Sequence, residues 1–138
     1  MSSNINETVN DFNDMLLSLA INLSTVCPHS IIGTNISEIK KAIKNPDNFK
    51  KFIDTFCIKV LPYKKEIDSG DETFFMEKDY SEDLKESGTS ALDHVISLKS
   101  IWNDLKKENK KIVIFNMQCL CALALDYYNH VISKINKS

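Results

Sequence analysis

The sequence predicts an all-α protein, a compact bundle of about five helices with an apolar C-terminal helix at its centre. Three observations carry that expectation. Gly and Pro are scarce, three of each in 138 residues, and they fall between apolar runs as punctuation. Apolar residues recur at intervals of three and four along most of the chain, the spacing of one helix face. Residues 112–125, "IVIFNMQCLCALAL", are apolar nearly all round, which describes a central helix covered by others. A chain of this length, 43% hydrophobic and 26% charged, suits one domain with a real core.

The first helix is expected to start after Asn4, with Glu7 three residues on completing a capping-box pair. Ile5, Val9, Phe12, Leu16, Leu19, Leu23 and Val26 then form one apolar stripe, and Pro28 ends it. A short helix is expected over 36–44, with Asn35 as its cap and Glu38 in its first turn. Asn45 and Pro46 supply a cap and a first helical position for the next helix. Its stripe runs through Phe49, Phe52, Ile53, Phe56, Cys57, Val60 and Leu61, three rings on one face, until Pro62 kinks or stops it.

Residues 66–89 read as a polar, acidic loop region. From 66 to 88 nine carboxylates stand against Lys78 and Lys85, about −7, which leaves about +5 for the rest of a chain whose net charge is −2. Ser90 with Asp93 marks the start of a fourth helix carrying Leu92, Val95, Ile96, Ile101, Trp102 and Leu105. The lysine-rich "KKENKK" breaks it from the last helix, expected over 109–135.

Composition narrows the function. All 17 basic residues are Lys. Without Arg the chain has no planar fork for bidentate grip on phosphate or carboxylate, so an arginine finger and Arg-based reading of guanine are excluded within it. The modest net charge gives no global drive toward nucleic acid or anionic membrane. No P-loop or G-x-G-x-x-G occurs. The opening residues lack the basic-then-apolar order of a signal peptide. The longest apolar run is short of the roughly 20 residues that span a bilayer. The expectation is therefore a cytoplasmic protein, not secreted and not inserted in a membrane, with its four cysteines as free thiols.

The stretch "LPYKKEIDSGDETFFMEKDY" raises three site readings. A calcium loop fails on register. Starting at Asp68, position 6 falls on Thr73, and starting at Glu66 it falls on Asp71, where glycine is required. A catalytic carboxylate pair finds no two acids set apart from the other seven. What remains is a corner pinned to the core by Phe74 and Phe75, or a partner-binding surface made of Tyr63, Asp68, Asp71, Glu72, Phe74 and Phe75. Among the cysteines, Cys57, Cys119 and Cys121 are expected in the core, so a nucleophilic thiol would rest on Cys27, with His29 the nearest imidazole in sequence. No zinc spacing is present. No catalytic residue, cofactor or metal is therefore expected. The paired lysines 40/41, 50/51, 64/65, 106/107 and 110/111 are dispersed and would form a nucleic-acid patch only by converging in space.

Three pieces together carry a resemblance: "FNDMLLSLAINLSTVCP", "FIDTFCIKVLPYKKEIDSGDETFF" and "LKSIWNDLKKENKKIVIFNMQCLCALAL". In this order they resemble small all-helical proteins encoded by nucleocytoplasmic large DNA viruses, the mimivirus-like giant viruses. Where that family has an aromatic and Leu-Gln in its final helix, this chain has Phe115 and Met117-Gln118. The resemblance implies a helical fold and a viral setting and carries over no functional residue. The expected function is a non-enzymatic protein–protein interaction or assembly module, acting in the host cytoplasm, viral factory or virion. The alternative is an accessory factor that binds nucleic acid through clustered lysines.

Overall fold

The computed structural model describes residues 5–78, 90–96 and 98–137. Every regular element among them is helical, so the all-α class holds. The first helix, α1 (Ile5–Val26), buries Thr8, Val9, Phe12, Asn13, Leu16, Leu19, Ala20 and Leu23. The stripe anticipated from spacing is therefore the buried one, with Ile5 and Val26 half-buried at its ends. Asn4, its anticipated cap, lies outside the described residues.

After Pro28 the chain makes an unanticipated turn of helix, α2 (Ile31–Thr34). Ser30 caps it: its hydroxyl donates to Cys27 O at 2.6 Å and accepts from Gly33 N at 3.2 Å. Gly33 is required by close approach, since a Cβ there would stand 2.3 Å from the Pro28 carbonyl oxygen. The next helix, α3 (Ile36–Lys44), has the anticipated bounds. Its cap does not behave as anticipated. Asn35 Nδ2 donates back to Ile31 O at 2.8 Å, so the side chain closes α2 and makes no capping bond to α3.

Asn45 Oδ1 accepts from Asp47 N at 3.0 Å, but it caps a 3₁₀ turn, Pro46–Asn48. Helix α4 (Lys51–Lys59) follows. Phe49 therefore precedes the helix and is half-buried, and only Phe52 and Phe56 are fully buried rings of this element. Phe56 meets Phe12 of α1 edge-on at 5.2 Å and 74°, a pairing worth about 0.5–1.5 kcal/mol beyond area burial. Leu61–Tyr63 is a 3₁₀ turn around Pro62.

The acidic region is more regular than a loop. It contains α5 (Lys64–Ser69) and α6 (Glu72–Glu77). Gly70 joins them with φ of 71°, the left-handed conformation that favours glycine. Asp71 Oδ1 accepts from Thr73 N at 2.9 Å and starts α6. The part of this region over 79–89 lies outside the described residues.

The single helix anticipated for residues 90–105 is instead α7 (Ser90–Ile96) followed by two 3₁₀ turns, Leu98–Ser100 and Trp102–Asp104. With three residues per turn, a 3₁₀ segment aligns residues at i and i+3. Leu98 with Ile101, and Trp102 with Leu105, are thereby all buried. The last helix is α8 (Lys107–Lys137), 31 residues long.

The hub is α1. It packs along α8 most extensively and also meets α2, α3, α4 and α7. Helix α8 enters the core against α1, α4 and α5. Helix α7 packs on α1, α2 and α3. Helix α8 departs from full coverage. Val113, Met117, Leu120, Cys121, Ala124 and Tyr127 are buried, while Ile112 is 46% and Phe115 61% exposed. Among the described residues no helix is long and apolar enough to cross a membrane.

Candidate functional site

The residues singled out around the acidic corner divide into two groups. Asp68, Asp71 and Glu72 are exposed. Asp68 pairs with Lys64 one helical turn earlier, and that hydrogen bond holds the Lys64 ammonium above its ordinary range. Asp71 is used as a cap. From α8, Gln118 Nε2 donates to Ile67 O and Asp68 O, both at 3.2 Å, and so closes the last carbonyls of α5.

The rings form a ladder directed inward. Phe75 is buried and stacks on Trp102 at 5.4 Å and 13°. Phe74 is half-buried, edge-on to Phe75 at 5.5 Å and tilted against Tyr63 at 5.8 Å. Lys78 Nζ sits 4.1 Å from the Tyr63 ring centroid and donates to its hydroxyl at 3.0 Å. Lys110 Nζ lies 5.7 Å over the Trp102 ring. Phe75 is thus a core anchor, and neither ring of the Phe pair is exposed. The sequence placed Trp102 in a helix stripe but gave no sign of its stack with Phe75, 27 positions away, because stacking across such a separation leaves no local pattern.

Three of the four thiols are raised above their ordinary range. Cys27, expected outside the core, is buried, and desolvation with Asp104 nearby pushes its thiol up. Burial, with a smaller contribution from Asp54, pushes Cys57 up to about 11. Burial raises Cys121 to about 12. A raised thiol is mostly protonated near neutral pH and a poor nucleophile. Cys57 and Cys119 are half-buried where full burial was anticipated. Cys57 Sγ donates to Ala124 O at 3.4 Å, tying α4 to α8. A cleft of about 480 Å³ runs beside Cys27, His29, Ser30, Ser100 and Asp104. Ser30 there is already committed as a cap. Among the described residues no group of three or more His, Cys, Asp or Glu is placed to hold a metal ion.

The lysine pairs lie on separate elements, α3, α4, α5 and the start of α8. Lys40, Lys41 and Lys44 do share one open depression of about 570 Å³ with Ser37, Asn45 and Pro46. They occupy the C-terminal half of α3, where cations complement the helix dipole.

The feature that the sequence reading missed is on α8. Ile112, Phe115, Cys119 and Ala122 follow one another at intervals of three, four and three. That is an apolar heptad seam on one helix face. Ile112, Phe115 and Ala122 are exposed and Cys119 is half-buried. One interval beyond each end, on the same face, stand the exposed carboxylates Glu108 and Asp126. Asp126 is held by Thr8, whose hydroxyl donates to Oδ2 at 3.3 Å, and by His130 Nε2 at 3.6 Å from Oδ1. The signal was available: a helix apolar all round has two faces to cover, and α1, α4 and α5 leave the Ile112–Ala122 line exposed.

No protein-family model, no curated protein and no solved structure matches this chain.

Proposed function

We propose that the chain is a non-enzymatic interaction or assembly module whose contact surface is the uncovered face of α8. One observation carries this reading: Ile112 and Phe115 sit in water on a long helix that the rest of the bundle holds in place, and Cys119 and Ala122 continue their line at heptad spacing. Scattered exposed apolar residues are ordinary, but a contiguous seam marks an interaction surface. The raised, largely covered thiols favour the non-enzymatic side. The viral setting implied by the resemblance belongs to the same proposal, with the host cytoplasm, viral factory or virion as the place of assembly.

Affinity capture with quantitative mass spectrometry, comparing the natural chain with Phe115→Glu, tests the reading. A partner retained by the first and lost from the second is expected. Equal recovery by both, or turnover of a substrate by the purified chain, contradicts it.

A second reading is binding of a nucleic-acid backbone at the depression shared by Lys40, Lys41 and Lys44. Backbone contacts by lysines release counterions. Affinity that falls steeply with salt, and that is lost on converting the three lysines to glutamine, would support it. Binding that ignores both would remove it.

A further inference from the structure

We infer that the cleft at the C-terminal end of α1 binds a small primary amine, its ammonium between Asp104 and the last α1 carbonyls and its aliphatic body on the apolar wall. This site is separate from the α8 face, so neither reading depends on the other. The cleft of about 480 Å³ falls in the range of small-molecule sites, about 300–1,000 Å³. Three segments build it. The end of α1 supplies Val26 and Cys27, the turn that follows supplies Pro28 and Ile31, and the two 3₁₀ turns supply Ser100 and Asp104.

The acceptors follow from the way α1 stops. Pro28 has no N–H, so the Ser24 carbonyl cannot receive the bond that a continuing helix would give it. Ser30 N and the Ser30 hydroxyl both go to Cys27 O. Among the described residues no backbone N–H reaches the carbonyls of Ser24, Thr25 or Val26. These groups are the negative end of a 22-residue helix whose last turn carries no basic residue. Asp104, exposed on the second 3₁₀ turn, adds a full negative charge.

The neighbouring lysines do not cancel that sign. Lys99, Lys106 and Lys107 are close to Asp104 in sequence, but none of them lines the cleft. Among the described residues none of them forms an ion pair with it. The Cys27 thiol on the wall is pushed up by burial and then by Asp104, with no cation opposing the rise. At Cys121, by contrast, Lys64 stands near enough to act against it. A wall of acceptors without a cation suits a ligand that brings positive charge and several N–H donors, and an ammonium brings three. A carboxylate or phosphate would meet Asp104. Val26, Pro28, Ile31 and Ile101 then offer a short aliphatic chain a place out of water, and Ile31 is 56% exposed without one.

The test is a titration of the isotope-labelled full chain with butylammonium, read by amide chemical shifts. Butanol and butyrate serve as its uncharged and anionic analogues. Butylammonium should shift the amides of Val26, Cys27, Ser100 and Asp104 saturably and about tenfold or more tightly than butanol. Butyrate should shift none of them. Asp104→Asn, a change at an exposed side chain, should weaken butylammonium about tenfold and leave the rest of the spectrum in place. Equal affinity for butylammonium and butanol overturns the inference. So does an unchanged affinity in Asp104→Asn, saturable binding of butyrate at these amides, or shifts that scatter over the surface without saturating.

Discussion

Helices α1 and α8 are the two long elements of the molecule, and they spend their apolar residues differently. Helix α1 has one stripe, and Val9, Phe12, Leu16, Leu19 and Leu23 are each fully buried. Helix α8 has two stripes in its first half. One, through Val113, Met117 and Leu120, is fully or almost fully buried, and the other, through Ile112 and Phe115, stays in water. On average α1 is the more apolar of the two, so what leaves α8 partly uncovered is the number of its apolar faces and not its mean apolarity. A single face is consumed by folding, and a second face is left for something else.

Substitutions should therefore act on the two helices very unequally. The largest effect belongs to α1. Phe12→Ala removes a ring in edge contact with Phe56 and should cost about 3–5 kcal/mol in urea denaturation. A smaller cost on this variant would mean that α1 is not the hub. Next comes the junction between α1 and α2. Gly33→Ala drives a methyl group toward the Pro28 and Cys27 carbonyls, backbone that moves only by displacing the junction. A loss of about 1–3 kcal/mol is expected, and no loss would show that α2 is free to shift.

On the buried side of α8, Tyr127→Phe deletes the hydroxyl that donates to Asp54 of α4. The expected loss is about 1 kcal/mol, read as a lowered denaturation midpoint with unchanged slope. The Tyr127 hydroxyl is held above its ordinary pKa, first by burial and then by the Asp54 hydrogen bond, so the neutral donor persists across the neutral range.

The last effect, confined to alkaline solution, is a pH dependence at the α4–α8 contact. Cys57 and Cys121 are raised from 9.0 to about 11 and about 12. The folded state then keeps protons that the unfolded chain releases above pH 9. Stability from these thiols is fully present below pH 9 and is lost as pH rises toward 11 and 12. Thermal melts from pH 8 upward should show that decline, and Cys57→Ala with Cys121→Ala should flatten it. An identical slope in the double variant would assign the decline to other groups.

Much of this architecture is legible in the sequence because the signals are local. The stripe of α1 and its stop near Pro28 are set by side chains a few residues apart, and so are the bounds of α3. The failures have physical causes as well. Ser30 and Asn35 are both good caps, and a sequence does not say which helix each one closes. The residues Leu98 to Leu105 fit an α-helical pattern loosely, and the 3₁₀ geometry becomes preferable only once all four apolar residues must reach the core. The acidic corner drew attention through its carboxylates, yet its exposed acids serve as a cap and a surface ion pair. The uncovered seam of α8 was hidden by its own apolarity. Periodicity reports that a face is apolar, and only packing reports whether anything lies against it.

The central claim is that two close residues of α8, Phe115 and Met117, belong to different surfaces, one left in water and the other packed in the core. Urea denaturation of Phe115→Glu beside Met117→Ala tests it most directly. The account predicts a change within about 0.5 kcal/mol for the first and a loss of about 2–5 kcal/mol for the second. Comparable destabilisation by Phe115→Glu would place that ring in the fold's own core and contradict the account.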